Sequence, residues 1–369
     1  MSDTLKEKLA SLQKVAKERT VKTQNIEYDL ETLVKKIDKH IIKLDPKYQR
    51  KHRWTNEMSS KLIESLILNI PIPMIYLSQD IDVDEEIEDE VARYSVIDGQ
   101  QRLNAIFNYM GNEYSLIGMD VLEELNGSYY KDLPPFLLRR LEERTIKCLR
   151  IDSTFDAQVK YDIFERLNSG AVQLESQELR NAIYRGPFNN LIKRLAQGNN
   201  FRTLIGIDTC NPEDSTKVKK MQDSELVLRF FALDNGNYYN LKKGFKKFLS
   251  VEMEKLNMLD EASLLELENK FVRVTEIIFN NFGQHAFAKY NYKNGGYKKM
   301  SNFNAAVYDA LTISISTCID LDNPQIGKNK IKKYNKLFSD KGFFEVLTGS
   351  VADREKVIRR IEAVKEILS

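Results

Sequence analysis

Apolar residues recur three and four positions apart over much of this chain, and that spacing predicts helices. Leu5, Leu9, Leu12 and Ala16 form a narrow stripe among Lys and Glu, which predicts a short N-terminal helical arm. Leu30, Leu33, Val34 and Ile37 predict a helix over 29–39. Met58, Leu62, Ile63 and Leu66 predict another over 56–69, capped by Thr55 with Glu57 in its first turn. Leu103, Ile106, Phe107 and Met110 are the expected buried face of a helix that opens near residue 98, and 134–143 reads as helix. Short apolar runs between these segments predict strands at 41–44, 74–77, 93–97, 114–117 and 145–151.

The pattern changes after Phe155. Val159, Ile163 and Leu167 keep helical spacing, and helices are expected over 176–184, 188–196, 224–233, 244–256, 262–282, 304–318, 325–338 and 353–368. Hardly any strand signal remains there. The expected fold class is therefore α+β: a small sheet with helices, followed by an all-helical C-terminal domain. The expected segments are an arm over 1–25, an α/β domain over 26–155 and a helical domain over 156–369.

Charge alters the picture. The 369 residues carry 56 Lys+Arg against 54 Asp+Glu, a formal net charge of +2, which by itself argues against a nucleic-acid binder. Residues 80–90, however, hold eight acidic side chains and no basic one, so the remainder stands at +10. A like-charge run of that kind reads as a solvated loop, with a lid or a mimic of nucleic-acid charge as the alternative. Lysine clusters at 217/219/220, 242/243/246/247 and 328/330/332/333/336 keep DNA open as a partner. No apolar run approaches the ~20 residues of a membrane helix, and Cys148, Cys210 and Cys318 are too scattered for a disulfide framework or a zinc site. A cytoplasmic protein without a membrane partner is expected.

The common catalytic signatures are missing: no P-loop, no His-Glu-x-x-His and no Gly-x-Ser-x-Gly occur, and His40, His52 and His285 are the only histidines. No metal-ligating set is expected. Three polar clusters remain. In the first, Val96-Ile97-Asp98-Gly99-Gln100-Gln101-Arg102, a strand runs into a helix through Asp-Gly. Asp98 could cap that helix, Gly99 could let a ligand approach the backbone, and free helix-start amides favour phosphate. Arg102 could grip a phosphate while Asp98 orients it, holds a metal or polarises a water, and Gln100 and Gln101 offer donors and acceptors. A plain helix start with an internal Asp–Arg pair is the competing reading. The second cluster, Lys47 to Trp54, interleaves Tyr48, Gln49, Arg50, Lys51, His52 and Arg53, a mixture suited to phosphates and bases; Trp54 is expected to sit in the core. The third, Phe164-Glu165-Arg166-Leu167-Asn168-Ser169-Gly170, followed by Glu178, Arg180 and Asn181, is a polar junction between helices.

Taken in order, Tyr48-Gln49-Arg50 with Trp54, Leu62-Ile63-Glu64-Ser65-Leu66, Ile70-Pro71-Ile72-Pro73, Ile97-Asp98-Gly99-Gln100-Gln101-Arg102 and Phe164 to Gly170 resemble the N-terminal domain of GmrSD-type, modification-dependent restriction endonucleases over 26–185. The resemblance implies a ParB/sulfiredoxin-like core and a nucleoside triphosphate, GTP or ATP with Mg²⁺, as ligand and hydrolysis substrate. It implies a role in bacterial defence against phage or modified DNA. By matching position, Tyr48, Gln49, Arg50, Asp98, Gly99, Gln100, Gln101 and Arg102 would line the site, joined by Asn168 and Ser169. Of these, Asp98, Gln100, Gln101 and Arg102 would carry the chemistry. Family members that cut DNA usually add a His-Asn-His nuclease; this chain shows no such motif, so a separate nuclease subunit is expected. Direct DNA binding or nicking by the ParB-like core and a non-catalytic interaction role are the alternatives.

Overall fold

In the computed structural model the described residues are 22–44, 54–79, 94–152, 157–167, 175–242, 244–293, 296–349 and 352–369. Residues 1–21 of the predicted N-terminal arm, the acidic run 80–90, Tyr48, Gln49, Arg50, Asn168 and Ser169 lie outside them, and residues 23–25 of that arm are strand instead. The chain divides into two compact units, Met1–Gly170 and Ala171–Ser369.

In the first unit, β1 (Thr23–Asp29), β2 (Ile42–Lys43), β3 (Ile75–Gln79), β4 (Tyr94–Asp98) and β5 (Thr145–Ile151) form one mixed sheet in the order β1-β5-β3-β4-β2. The β1–β5 and β3–β4 pairs are antiparallel, and the β5–β3 and β4–β2 pairs are parallel. Helices α1 (Leu30–Asp38), α2 (Asn56–Ile67), α3 (Gln100–Met110) and α4 (Pro135–Glu142) supply Leu33, Ile63, Leu66, Leu103, Ile106 and Leu141 to a core shared with Ile75, Leu77, Ile146 and Cys148 of the sheet. Strand residues alternate between faces. Ile97 and Ile151 are buried outside that core, and α5 (Ala157–Leu167) lies against β4.

Local chemistry explains the helix starts. Thr55 Oγ1 accepts from the Met58 amide at 3.2 Å, as expected, and Asp29 caps α1 through the Thr32 amide at 2.7 Å. Trp54 is half-buried against the core of this unit. Two expectations fail. Met58 is exposed, and the inward stripe of α2 is Leu62, Ile63, Leu66 and Ile67. Residues 114–117 form no strand; Leu116 instead exchanges backbone hydrogen bonds with Ser128 and Gly127 across a loop. Strand β1, unforeseen in a polar run, exists because β5 pairs with all seven of its residues.

The second unit contains α6 (Ser176–Ile183), α7 (Pro187–Leu195), α8 (Asn199–Leu204), α9 (Thr216–Lys219), α10 (Gln222–Leu233), α11 (Phe245–Leu256), α12 (Glu261–Phe282), β6 (Lys289–Lys293), β7 (Gly296–Ser301), α13 (Ala305–Cys318), α14 (Lys328–Leu337), α15 (Lys341–Val346) and α16 (Arg354–Leu368). The overall class is thus α+β, with a mostly helical second part. The expectation of an all-helical part is corrected by the antiparallel β6–β7 hairpin. β7 is largely exposed, and β6 alternates Tyr290 and Tyr292 with polar residues but has no aliphatic residue to announce a strand.

At the centre of this unit Asp309 of α13 is buried between two arginines. Arg229 of α10 donates to it through Nε at 2.8 Å and Nη2 at 2.5 Å, and Arg360 of α16 donates through Nη2. Burial alone would raise the Asp309 pKa; the two guanidinium groups outweigh it and hold the carboxylate low. Arg180, one of the polar residues of the third sequence cluster, is fully buried and ties α6 to its neighbours through Gln177, Glu225, Ser250 and the Lys246 carbonyl.

Candidate functional site

Strand β4 delivers Asp98 to the edge of the sheet, and one residue later α3 begins. Gly99 makes that turn possible. Its φ is +101°, a left-handed conformation that favours glycine, and a Cβ there would run into Ile75 Cδ1. Gly99 is also the N-cap residue, with no side chain to cap with. The expectation that Asp98 caps α3 is therefore corrected. The glycine moves Asp98 one position too far back, and its carboxylate turns to Arg102 instead: Oδ2 accepts from Nη2 at 2.8 Å.

Arg102 is more committed than its sequence suggests. Besides Asp98, its Nη1 donates to the carbonyl of Pro73 and, at 3.3 Å, to that of Met74. The guanidinium therefore clamps the chain entering β3 to the start of α3. It lies mostly buried, and burial pulls its pKa down against the opposing pull of Asp98. The nearby Cys148 thiol is pushed up to about 12 by burial, only partly offset by Arg102, which makes it a poor nucleophile.

The other polar side chains of this helix start are differently placed. Residues 100, 101 and 104 share one flank of α3, because positions three and four apart are neighbours on a helix. Gln100 Nε2, Gln101 Oε1 and both amide atoms of Asn104 are buried, and none makes a hydrogen bond among the described residues. Asn104 is only 1% exposed. A buried amide without a partner costs about 1–3 kcal/mol, so such groups are rare unless something else satisfies them. Four such atoms lie on one flank of α3, beside an uncapped helix start and a buried arginine, without a hydrogen-bond partner among the described residues.

Of the ten residues expected to line a site, the structure brings Asp98, Gly99, Gln100, Gln101 and Arg102 together at this turn. Tyr48, Gln49, Arg50, Asn168 and Ser169 lie outside the described residues. Asn104 was missed by sequence reasoning. Its signal was available: an asparagine between Leu103 and Ala105, on the face predicted to be buried. Elsewhere in the unit, Glu64 is also buried, but it accepts from the amides of Asp120, Val121 and Leu122 and anchors that loop. No group of three or more His, Cys, Asp or Glu side chains able to hold a metal occurs among the described residues, and no helix there is long and apolar enough to cross a membrane.

Residues 30–185 match the family model of the GmrSD restriction endonuclease, N-terminal domain. The resemblance carried by the sequence motifs is thereby borne out over this span. The match runs from the first residue of α1 to just beyond α6 and includes the whole Asp98–Arg102 turn. It covers less than half of the chain and marks a module of a restriction system. Neither a curated protein nor a solved structure matches the chain.

Proposed function

We propose that this chain binds a nucleoside triphosphate at the start of α3 and hydrolyses it, as the nucleotide-responsive module of a bacterial phage-defence or modification-dependent restriction system. The observation that carries this reading is the set of buried, unpartnered amide atoms on Gln100, Gln101 and Asn104. These supply both donors and acceptors, as recognition of a base edge, a ribose or an ordered water requires. The uncapped amides of α3 favour phosphate, helped by the helix dipole.

Within this reading the role of Arg102 differs from a phosphate fork. Its donors are engaged by Asp98, Pro73 and Met74. It contributes fixed positive charge beneath the phosphates and holds Asp98 in place, a preorganised arrangement that loses little on binding. The Asp98 carboxylate is partly exposed and has one oxygen on Arg102. The other can orient an attacking water or bind the Mg²⁺ that accompanies a triphosphate, an ion usually held by one or two carboxylates and the phosphates themselves. The absence of a His-Asn-His motif from the sequence favours a separate nuclease subunit as the partner that cuts DNA.

Calorimetric titration of the full chain with GTP and with ATP, each with Mg²⁺, tests the reading. Saturable binding of one of them is expected, weakened at least tenfold by Asn104→Ala, and phosphate release should vanish in Asp98→Asn while binding persists. No binding of either nucleotide at millimolar concentration would overturn the proposal.

A further inference from the structure

The second unit contains a cavity of about 390 Å³ between the end of α12, the β6–β7 hairpin and α14. Cavities that take small organic groups start at roughly 300 Å³. Its walls are mostly rings: Phe282, Tyr290, Tyr297, Tyr334 and Phe338. These rings brace one another, with centroids 5.2 Å apart for Phe282–Tyr334, 5.5 Å for Tyr290–Phe338 and 5.7 Å for Tyr334–Phe338. Tyr334 is buried and fixed, whereas Tyr297 is 48% exposed, so one wall is rigid and the other is open to an incoming group. The rim carries the exposed His285 and Asn335, and the Asn335 amide has no partner among the described residues.

The hairpin and α14 that line the cavity are basic. Residues 277–308 contain no Asp or Glu, and neither does α14. Tyr290 pairs with Lys299 and Tyr292 with Tyr297 across the hairpin, so Lys299 shares the cavity face with these tyrosines. On α14 and its C-cap the cavity stripe is Ile331, Tyr334, Asn335 and Phe338, flanked by Lys332 one turn before Asn335 and by Lys328 two turns before it. Two further features argue for a polymer rather than a small molecule. Tyr292 packs on the cavity wall residue Tyr297 in a tilted contact with centroids 4.9 Å apart, which extends the ring surface along the hairpin, and Lys299 of the hairpin and Lys332 of α14 come from the two elements that frame the opening.

We propose that this cavity takes an unpaired base of a nucleic-acid strand, stacked against Tyr297, with the buried Tyr334 at the floor, Asn335 on the base edge and Lys299 and Lys332 on the flanking phosphates. Rings that hold a base by stacking, framed by lysines that follow the backbone, form the usual single-strand platform. The site is independent of the proposed nucleotide site in the first unit and does not rest on it.

The test is fluorescence anisotropy of the full chain with a labelled 12-nucleotide single strand, the matching duplex and, as competitor, a free deoxynucleoside monophosphate. The single strand is expected to bind with an affinity that falls with salt, and to bind more tightly than the duplex. The exposed Tyr297→Ala should weaken it roughly tenfold, the loss of about one stacked base. Lys299→Ala with Lys332→Ala should reduce the salt slope by about one to two. Tyr297→Ala binding like the parent chain would assign the affinity to lysines alone and overturn the base pocket. Competition by the monophosphate at the affinity of the strand would give the cavity to free nucleotides and overturn the strand. No anisotropy change at low salt would overturn the proposal outright.

Discussion

Two buried polar clusters, one in each unit, are paired to different degrees. In the second, Asp309 lies between Arg229 and Arg360 with both carboxylate oxygens engaged, and Arg229 also stands over the Phe245 ring at 4.4 Å. In the first, Gln100, Gln101 and Asn104 bury amide atoms that engage nothing among the described residues. Both groups break an apolar interior, and both would catch the eye as functional candidates. The difference lies in satisfaction. A closed cluster has its desolvation offset internally and serves the fold, whereas an open one awaits a partner. The same contrast runs inside the first unit, where Glu64 and Arg102 are satisfied by backbone groups and the amides one turn away are not.

The largest expected effect breaks the closed cluster. Asp309→Asn removes the charge that two buried guanidinium groups share and should cost about 3–5 kcal/mol in urea unfolding. A loss below about 1 kcal/mol would mean that the triad is not what holds α10, α13 and α16 together.

Glu64→Gln comes next, at about 1–3 kcal/mol at neutral pH, because it replaces charge-assisted bonds to three amides with weaker ones. Burial would raise the Glu64 pKa, but the amide bonds from Leu122, Val121 and Asp120 win, and the folded value lies below the ordinary one of about 4.5. A depressed folded pKa stabilises above the unfolded value and loses that stabilisation as pH falls through the folded one. The parent chain should therefore lose stability more steeply than Glu64→Gln as pH is lowered from about 5 to 3. Parallel profiles would show that the loop at 120–122 does not depend on this carboxylate.

The smallest stability effect sharpens the comparison most. Asn104→Ala removes two unpaired buried atoms, so its unfolding free energy should stay within about 1 kcal/mol of the parent. That near-neutrality, together with the weakened nucleotide binding described above, is the signature of an open cluster. A loss of several kcal/mol would instead place Asn104 among the closed ones.

Helices were the legible part of this fold, because a stripe recurring every three to four residues is local information. Strand β5 was predicted at its observed bounds, since Thr145–Ile151 alternates between faces. Strand β1 and the hairpin were not legible. Their sequences are polar, and only partners far along the chain or across the turn make them strands. The motif at residues 98–102 was legible as a strand-to-helix turn, but its internal wiring was not. Asp98 looked like a cap, and only the left-handed Gly99 in front of α3 shows why it meets Arg102 instead.

The sequence by itself determined the class, the order of most helices, the family that the first part resembles and the residues that gather at the start of α3. These follow from periodicity, capping chemistry and a short string of side chains, all readable within a few turns of chain. Tertiary structure alone decided which buried polar atoms are satisfied. Arg229, Asp309 and Arg360 find one another across 131 residues, while Gln100 Nε2 and the Asn104 amide, four residues apart, find no partner among the described residues. Satisfaction depends on what packs opposite a side chain, and local sequence does not encode its distant neighbours.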